Sequence, residues 1–189
     1  MKRNNFQILS DTHFGHNMLI EKGIRPLYFE DRIIESVWDL PEKDILIHIG
    51  DVSFYKNKYW HEHFLKNSGC RRNILVLGNH DRETLTWYYD RGWSFVCNEF
   101  ILEVYGYRLL LSHKPVDAAQ MMASSANINI HGHIHHGDHR EYNPDTFHEL
   151  VSIEDTLAPI KLKTVVERFE RKLKRQYELD VKETIGEIA

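Results

Sequence analysis

The chain has 189 residues, 42% of them apolar and 28% charged, which suits a folded domain with its own core and excludes a disordered chain. The net charge of −4 argues against a protein that coats nucleic acid through a broad basic face. The N-terminal apolar run is too short for a signal peptide or a membrane span, and Cys70 and Cys97 form no CxxC pair, so we expect a cytoplasmic protein with no thiolate zinc site and no membrane association.

The first half of the chain alternates short apolar runs with amphipathic segments. Strands are predicted at residues 6–9, 45–49 and 74–77, and helices at residues 30–40, 59–66 and 84–91. This alternation favours an α/β architecture with parallel strand pairing. The carboxyl ends of such strands lie at one edge of the sheet, where the ligand sites of open α/β folds are found.

The second half predicts strands in a different arrangement. Residues 100–104 and 108–111 are expected to form an antiparallel hairpin around Gly106, followed by short strands at residues 128–130 and 149–154. Together the two halves predict a mixed, layered α/β fold.

The C-terminal segment has the pattern of one amphipathic helix. Its apolar side chains share one stripe, with lysines and arginines opposite: Leu162, Val165, Val166, Phe169, Leu173 and Tyr177. We expect one domain over residues 1–160 and a helical extension over residues 161–189 that packs on it. A dimerisation helix or a nucleic-acid-binding helix is the alternative, and the chain is expected to be a monomer or a small homo-oligomer.

Five short polar clusters occur in a fixed order, each beside an apolar run. They are Asp11-Thr12-His13, Gly50-Asp51, Gly78-Asn79-His80-Asp81, Ser112-His113 and Gly132-His133-Ile134-His135. Each cluster alone is a weak signal, because Asp and Gly-Asn after a strand are also ordinary turn chemistry. Together, their carboxylate, amide and imidazole groups predict a centre for two divalent cations, which suits attack on phosphate esters.

These clusters match the motifs DxH, GD, GNH(D/E), a lone His and GHxH, and the sequence resembles the calcineurin-like metallophosphoesterase superfamily over roughly residues 5–160. The resemblance implies an α/β fold of the metallo-dependent phosphatase type, a layered α/β/β/α sandwich with two mixed β-sheets. Within the superfamily, the chain is similar to compact, single-domain bacterial or phage-type phosphoesterases. Protein phosphatases carry a second Asp where this chain has Phe54, so a Ser/Thr protein phosphatase is not expected.

The resemblance also implies which residues bind metal. Asp11, His13 and His135 are implied to bind one ion. Asp51 is implied to bridge both ions. A carboxylate suits that position because its oxygens can neutralise two cations about 3.5–4 Å apart.

The second ion is implied to have Asn79, His113 and His133 as its ligands. Two cations that share a water lower its pKa enough to supply hydroxide near neutral pH. This donor set leads us to expect two divalent metal ions, with Mn²⁺ first and iron, zinc or nickel as alternatives.

Three further residues are candidates for direct work on the substrate. His80 follows a predicted ligand and is the candidate acid that protonates the leaving oxygen. His16 and Arg25 resemble residues of a subgroup that meet the substrate phosphate, although a surface position for His16 stays open. Five further histidines outside the clusters are predicted to lie on the surface: His61, His63, His136, His139 and His148.

The expected function is hydrolysis of a phosphodiester with two metal ions, on a phosphate-ester substrate of the nucleotide or nucleic-acid type. A phosphomonoesterase is the alternative within the enzyme class, because the same site can release phosphate from either ester. A nuclease or nucleic-acid-binding protein that uses the basic C-terminal helix is another alternative. A metal-free scaffold would have lost ligands, whereas all the predicted ligands are present.

Overall fold

The computed structural model describes residues 5–135 and 147–186, with side chains described up to residue 182. The strands are β1 Phe6–Leu9, β2 Ile45–Ile49, β3 Arg72–Val76, β4 Phe95–Cys97, β5 Glu99–Val104, β6 Tyr107–Ser112, β7 Ile128–His131, β8 His148–Leu150 and β9 Ile160–Lys161. The helices are α1 Met18–Glu21, α2 Phe29–Trp38, α3 Asn57–Asn67, α4 Leu85–Asp90, α5 Ala118–Ser124 and α6 Leu162–Gly186, with a 3₁₀ turn at Ile153–Asp155.

The strands form two mixed sheets. The first has the order β4-β3-β2-β1-β9, in which β1 to β4 are parallel and β9 is antiparallel to β1. The second has the order β5-β6-β7-β8, in which β5 and β6 form an antiparallel hairpin and β6, β7 and β8 are parallel. The predicted α/β fold with two mixed β-sheets is therefore confirmed.

Alternating side chains of the strands divide the core into layers. Leu46 of β2 packs in a cluster with Ile33 of α2, whereas its neighbour Ile47 faces the cluster that the two sheets share. On the outer face of the second sheet, Leu110 of β6 packs with Met121 of α5. The order of layers is helices, sheet, sheet and helix, as the resemblance implies.

Helix α6 begins in the core and ends outside it. Leu162, Val165 and Phe169 are buried in the cluster between the sheets, whereas the side chains of residues 173–182 are exposed. The first two turns of the predicted extension thus supply core side chains. Among the described residues, no helix combines the length and apolarity that a bilayer span requires.

The structure differs from the sequence-based prediction at residues 149–154. Extended backbone stops at Leu150, and a 3₁₀ turn follows. The hydroxyl of Ser152 donates to Oε2 of Glu154 over 2.7 Å, while Oε1 of Glu154 accepts from Arg25, so the chain turns inward instead of continuing as a strand. Helix α5 was not predicted, although Asp117 and Gln120 form a capping box at its start.

Candidate metal centre

The loops after β1, β2, β3, β6 and β7 carry the predicted ligands and meet at one edge of the sheets. Backbone hydrogen bonds of 3.0 Å hold the first two loops together, from the Asp11 amide to the Gly50 carbonyl and from the His13 amide to the Asp51 carbonyl. The amide of Gly132 donates to the carbonyl of His113 at the same distance, which joins the loops after β6 and β7. Residues from both sheets are thereby fixed around one space.

Asp11, His13 and His135 form the first candidate metal-binding group, with ligand atoms within 4.8 Å of one another. The Nε2 atoms of His13 and His135 are 3.3 Å apart, and they lie 3.8 and 3.7 Å from Oδ1 of Asp11. That oxygen is buried and has no hydrogen-bond partner among the described residues. A buried, unpartnered carboxylate oxygen beside two imidazole nitrogens fits a divalent cation.

Asp51, His113 and His133 form the second candidate group, also within 4.8 Å. Nε2 of His113 lies 3.4 Å from Oδ2 of Asp51 and 3.2 Å from Oδ1 of Asn79. Nδ1 of His113 donates to the carbonyl of Ile49 over 2.9 Å. In the neutral ring this bond leaves the lone pair on Nε2, which is the state that a metal ligand needs.

Asp51 lies between the two groups. Its Oδ2 is 3.7 Å from Nε2 of His13 in the first group and 3.4 Å from Nε2 of His113 in the second. Its Oδ1 accepts from the backbone amide of His80 over 2.8 Å. One oxygen of this buried carboxylate therefore faces both groups, while the other fixes its orientation.

Much of this arrangement rests on unusual backbone geometry. Positive φ angles, which cost non-glycine residues about 1–3 kcal/mol each, occur at Asp11 (54°), His13 (46°), Asp51 (58°) and His133 (68°). Two glycines let the chain approach the carboxylates: a Cβ at Gly78 would collide with Oδ1 of Asp51, and one at Gly132 with Oδ2 of Asp11. Neighbouring residues thus hold the predicted ligands in a backbone conformation that an isolated chain would avoid.

The electrostatics of the centre keep the Asp51 carboxylate ionised. Burial works to raise the pKa of Asp51, but the hydrogen bond and the charge of His113 outweigh burial and hold this pKa below its ordinary value. Burial lowers the pKa of His113, yet its hydrogen bond to Asp51 and the charges of Asp11 and Asp51 raise it to about 9. The pKa of His13 falls to about 2, chiefly through burial. The carboxylate between the groups is therefore ionised and is available to cations.

Arg25 and Glu154 form an ion pair next to the first group and hydrogen-bond to its residues. Oε1 of Glu154 accepts from Nδ1 of His135 over 3.0 Å and from Nε and Nη2 of Arg25 over 3.0 and 2.5 Å. The same guanidinium donates to the backbone carbonyls of Thr12 and Asp11, at 2.5 and 2.6 Å. The Arg25 side chain is fully buried. This placement differs from the predicted contact with an anionic substrate. Arg25 instead binds the backbone at Asp11 and Thr12 and the carboxylate of Glu154, which is the hydrogen-bond partner of His135.

His80 and His16 lie at the rim of the centre. The side chain of His80 is 32% exposed, and its Nε2 is 3.9 Å from Oδ2 of Asp51. The ring of His16 stacks on Phe54 with centroids 4.0 Å apart and an interplanar angle of 7°. The His16 centroid is 5.8 Å from that of His13. Both predicted substrate-facing histidines therefore border the space between the ligands.

Asp81 is a site residue to which the sequence motif gave no role. Its Oδ2 accepts from the amides of Asp51 and Gly78 over 2.7 and 2.9 Å, and its Oδ1 accepts from Val52 over 3.2 Å. Burial raises the pKa of Asp81 to about 6, although these backbone bonds oppose the shift. The side chain acts as a clamp between the loops after β2 and β3.

The surface prediction is wrong for two histidines. His61 is 1% exposed, and its Nδ1 accepts from the indole nitrogen of Trp93 over 3.0 Å. His148 is also buried, and its Nε2 donates to the carbonyl of Val116 over 2.8 Å. Each polar ring is buried because a specific partner satisfies it. The predictions for His136 and His139 fall outside the described residues.

Comparison with known proteins adds the family to this geometry. A protein of Methanocaldococcus jannaschii, the uncharacterized protein MJ1445, is 28% identical over 181 residues, which cover 90% of this chain and 94% of that protein. The crystal structure of a protein of unknown function from Aquifex aeolicus matches with a TM-score of 0.68 at 23% identity, covering 87% of this chain and 99% of that chain. A structure described as a novel archaeal phosphodiesterase matches with a TM-score of 0.43 at 22% identity, over 78% of this chain and 82% of that one. The family model for the calcineurin-like phosphoesterase superfamily domain matches residues 5–151, and the chain therefore belongs to this superfamily.

Proposed function

We propose that this protein hydrolyses phosphodiesters of the nucleotide or nucleic-acid type at a centre of two divalent metal ions. The observation that carries the proposal is the position of Asp51, one oxygen of which lies 3.7 Å from His13 in the first group and 3.4 Å from His113 in the second. Two adjoining groups that share a carboxylate are the arrangement that two-metal phosphoester hydrolysis requires.

The proposed ligands of one ion are Asp11, His13 and His135, and those of the other are Asn79, His113 and His133, with Asp51 common to both. When bound, the two cations would supply Lewis acidity toward the phosphoryl oxygens and a nucleophile at neutral pH. Nitrogen and oxygen donors of this kind suit Mn²⁺, and they also accept iron, zinc and nickel.

His80 is the proposed general acid. Its partly exposed imidazole lies at the rim without a short bond to another described side chain, and its backbone amide donates to Asp51. A proton held at Nε2 is therefore free to pass to the leaving oxygen of the ester. His16, stacked on Phe54 at the same rim, is proposed to donate to a phosphoryl oxygen.

The burial of Arg25 favours a diester over a monoester. A phosphate monoester carries one more negative charge than a diester, and the arginine predicted to meet that charge instead pairs with Glu154 at 2.5 Å. The test is the rate of hydrolysis of bis-p-nitrophenyl phosphate against p-nitrophenyl phosphate by Mn²⁺-loaded protein. Faster release from the diester is expected. Faster release from the monoester would establish the phosphomonoesterase alternative, and no release from either ester by metal-loaded protein would refute the proposal.

A further inference from the structure

A groove of about 870 Å³ opens beside the candidate metal centre. Its walls are the loop between β2 and α3 and parts of α3 and α4, with aromatic side chains from Tyr55, Tyr59 and Trp87. This volume is in the range of small-molecule binding sites.

Phe54 connects the groove with the centre. It lines the groove, and its ring centroid lies 5.0 Å from that of His80 and 4.9 Å from that of Tyr55. A row of rings therefore leads from the proposed general acid into the groove. A ligand that fills the groove would place its end next to the atoms proposed to act on phosphorus.

The exposed rings of the groove are suited to stacking. Tyr55, in the loop before α3, is 60% exposed, and Tyr59, in the first turn of α3, is 53% exposed. The four charged residues that line the groove balance in sign: Lys56, Lys58, Glu62 and Glu83. The groove therefore selects through ring contact and hydrogen bonds and not through net charge.

We propose that the groove binds the nucleoside of the phosphate ester whose phosphate lies at the metal centre. This inference rests on the proposed function and names its substrate class. A nucleoside is uncharged and carries a planar ring, which matches a neutral groove with exposed tyrosines, while its phosphate carries the charge that the cations attract. Glu83 and Asn57, joined by a bond of 3.4 Å, supply carboxylate and amide groups for the polar edge of the base.

The experiment compares two diesters that share a leaving group and a single negative charge, p-nitrophenyl thymidine 5′-phosphate and p-nitrophenyl methyl phosphate. The measured quantity is the ratio of their kcat/KM values with Mn²⁺-loaded protein. Base stacking is expected to favour the thymidine ester by about tenfold. Tyr55→Ala and Tyr59→Ala should move this ratio toward one. Tyr177→Ala, which removes a 70% exposed tyrosine of α6, is the matched control and should keep the wild-type ratio.

The outcomes separate this inference from the proposed function. The groove assignment is overturned if the two esters have equal kcat/KM, or if both groove variants retain the preference for the thymidine ester. In either case, hydrolysis of the methyl ester leaves the proposed function intact. If neither ester is hydrolysed, titration with thymidine 5′-monophosphate tests whether the groove binds a nucleotide, because binding can be measured without catalysis. Quenching of tryptophan fluorescence that Tyr55→Ala abolishes supports the assignment, and the absence of quenching in the wild type rejects it.

Discussion

Removal of the Glu154 carboxylate should weaken the proposed centre without touching a ligand. Oε1 of Glu154 accepts from Nδ1 of His135 over 3.0 Å, which keeps the lone pair of His135 on Nε2, beside Asp11 and His13. Loss of such a partner costs about 10–100-fold in metal affinity. Glu154→Ala should therefore weaken Mn²⁺ binding by that factor, and Glu154→Gln, which keeps an acceptor oxygen, should weaken it less.

Glu154→Ala should also lower the free energy of unfolding, and this effect has to be separated from its effect on metal affinity. Among the described residues, it leaves the buried guanidinium of Arg25 with the carbonyls of Thr12 and Asp11 as its hydrogen-bond acceptors. Breaking a buried ion pair from one side costs about 3–5 kcal/mol. Glu149→Ala is the matched control, because that buried carboxylate pairs with Arg168 and Lys172 at 3.3 and 2.8 Å and contacts none of the proposed ligands.

Isothermal titration of metal-free protein with Mn²⁺ measures the effect, at a temperature well below the unfolding midpoint of each variant. Glu154→Ala should bind Mn²⁺ more weakly, and Glu149→Ala should bind it as the wild type does. Wild-type affinity in folded Glu154→Ala, or an equal loss in both variants, would show that the hydrogen bond to His135 does not tune the centre.

Three further changes test other parts of the structure. His80→Ala should lower kcat for a diester by about 10²–10⁴-fold, with elemental analysis still finding two metal ions per chain; loss of metal would make His80 a ligand. Burial holds the pKa of His61 at about 3, below its ordinary 6.5, so the unfolded chain binds the extra proton between these values and acid destabilises the fold. His61→Leu should remove up to about 1.4 kcal/mol per pH unit of that loss in urea unfolding between pH 6 and 4, and an unchanged slope would contradict the assignment. Deletion of residues 173–189, whose side chains are exposed as far as residue 182, should change the free energy of unfolding by about 0.5 kcal/mol or less, and a loss of several kcal/mol would show that this segment stabilises the fold.

The sequence predicts those residues of the site whose positions depend only on the strand that precedes them. Asp11 and Asp51 each lie two positions after the end of a strand, so a strand prediction and the rule for parallel sheets suffice to bring them to one edge. The strands β1, β2 and β3 were predictable for the same reason, because each is a short apolar run. The strands β4 and β9, of three and two residues, are too short to show a period.

The supporting residues depend on tertiary contacts that no local pattern encodes. Arg25 and Glu154 are 129 positions apart, and neither their ion pair nor the burial of Arg25 follows from the residues around them. The burial of His61 likewise depends on Trp93, 32 positions away, which supplies the donor for its ring. Sequence motifs therefore indicate the groups that face the proposed ions, while the groups behind them become visible only in the folded chain.

The left-handed backbone at Asp11, His13, Asp51 and His133 bears on how related sequences should be read. Glycine would relax each of these positions, since it adopts positive φ without steric penalty. It would also delete a donor group. The relief is partly offset, because glycine also raises the conformational entropy of the unfolded chain. A relative with glycine at the position of His13 or His133 should therefore lack one of the proposed metal donors and bind Mn²⁺ more weakly.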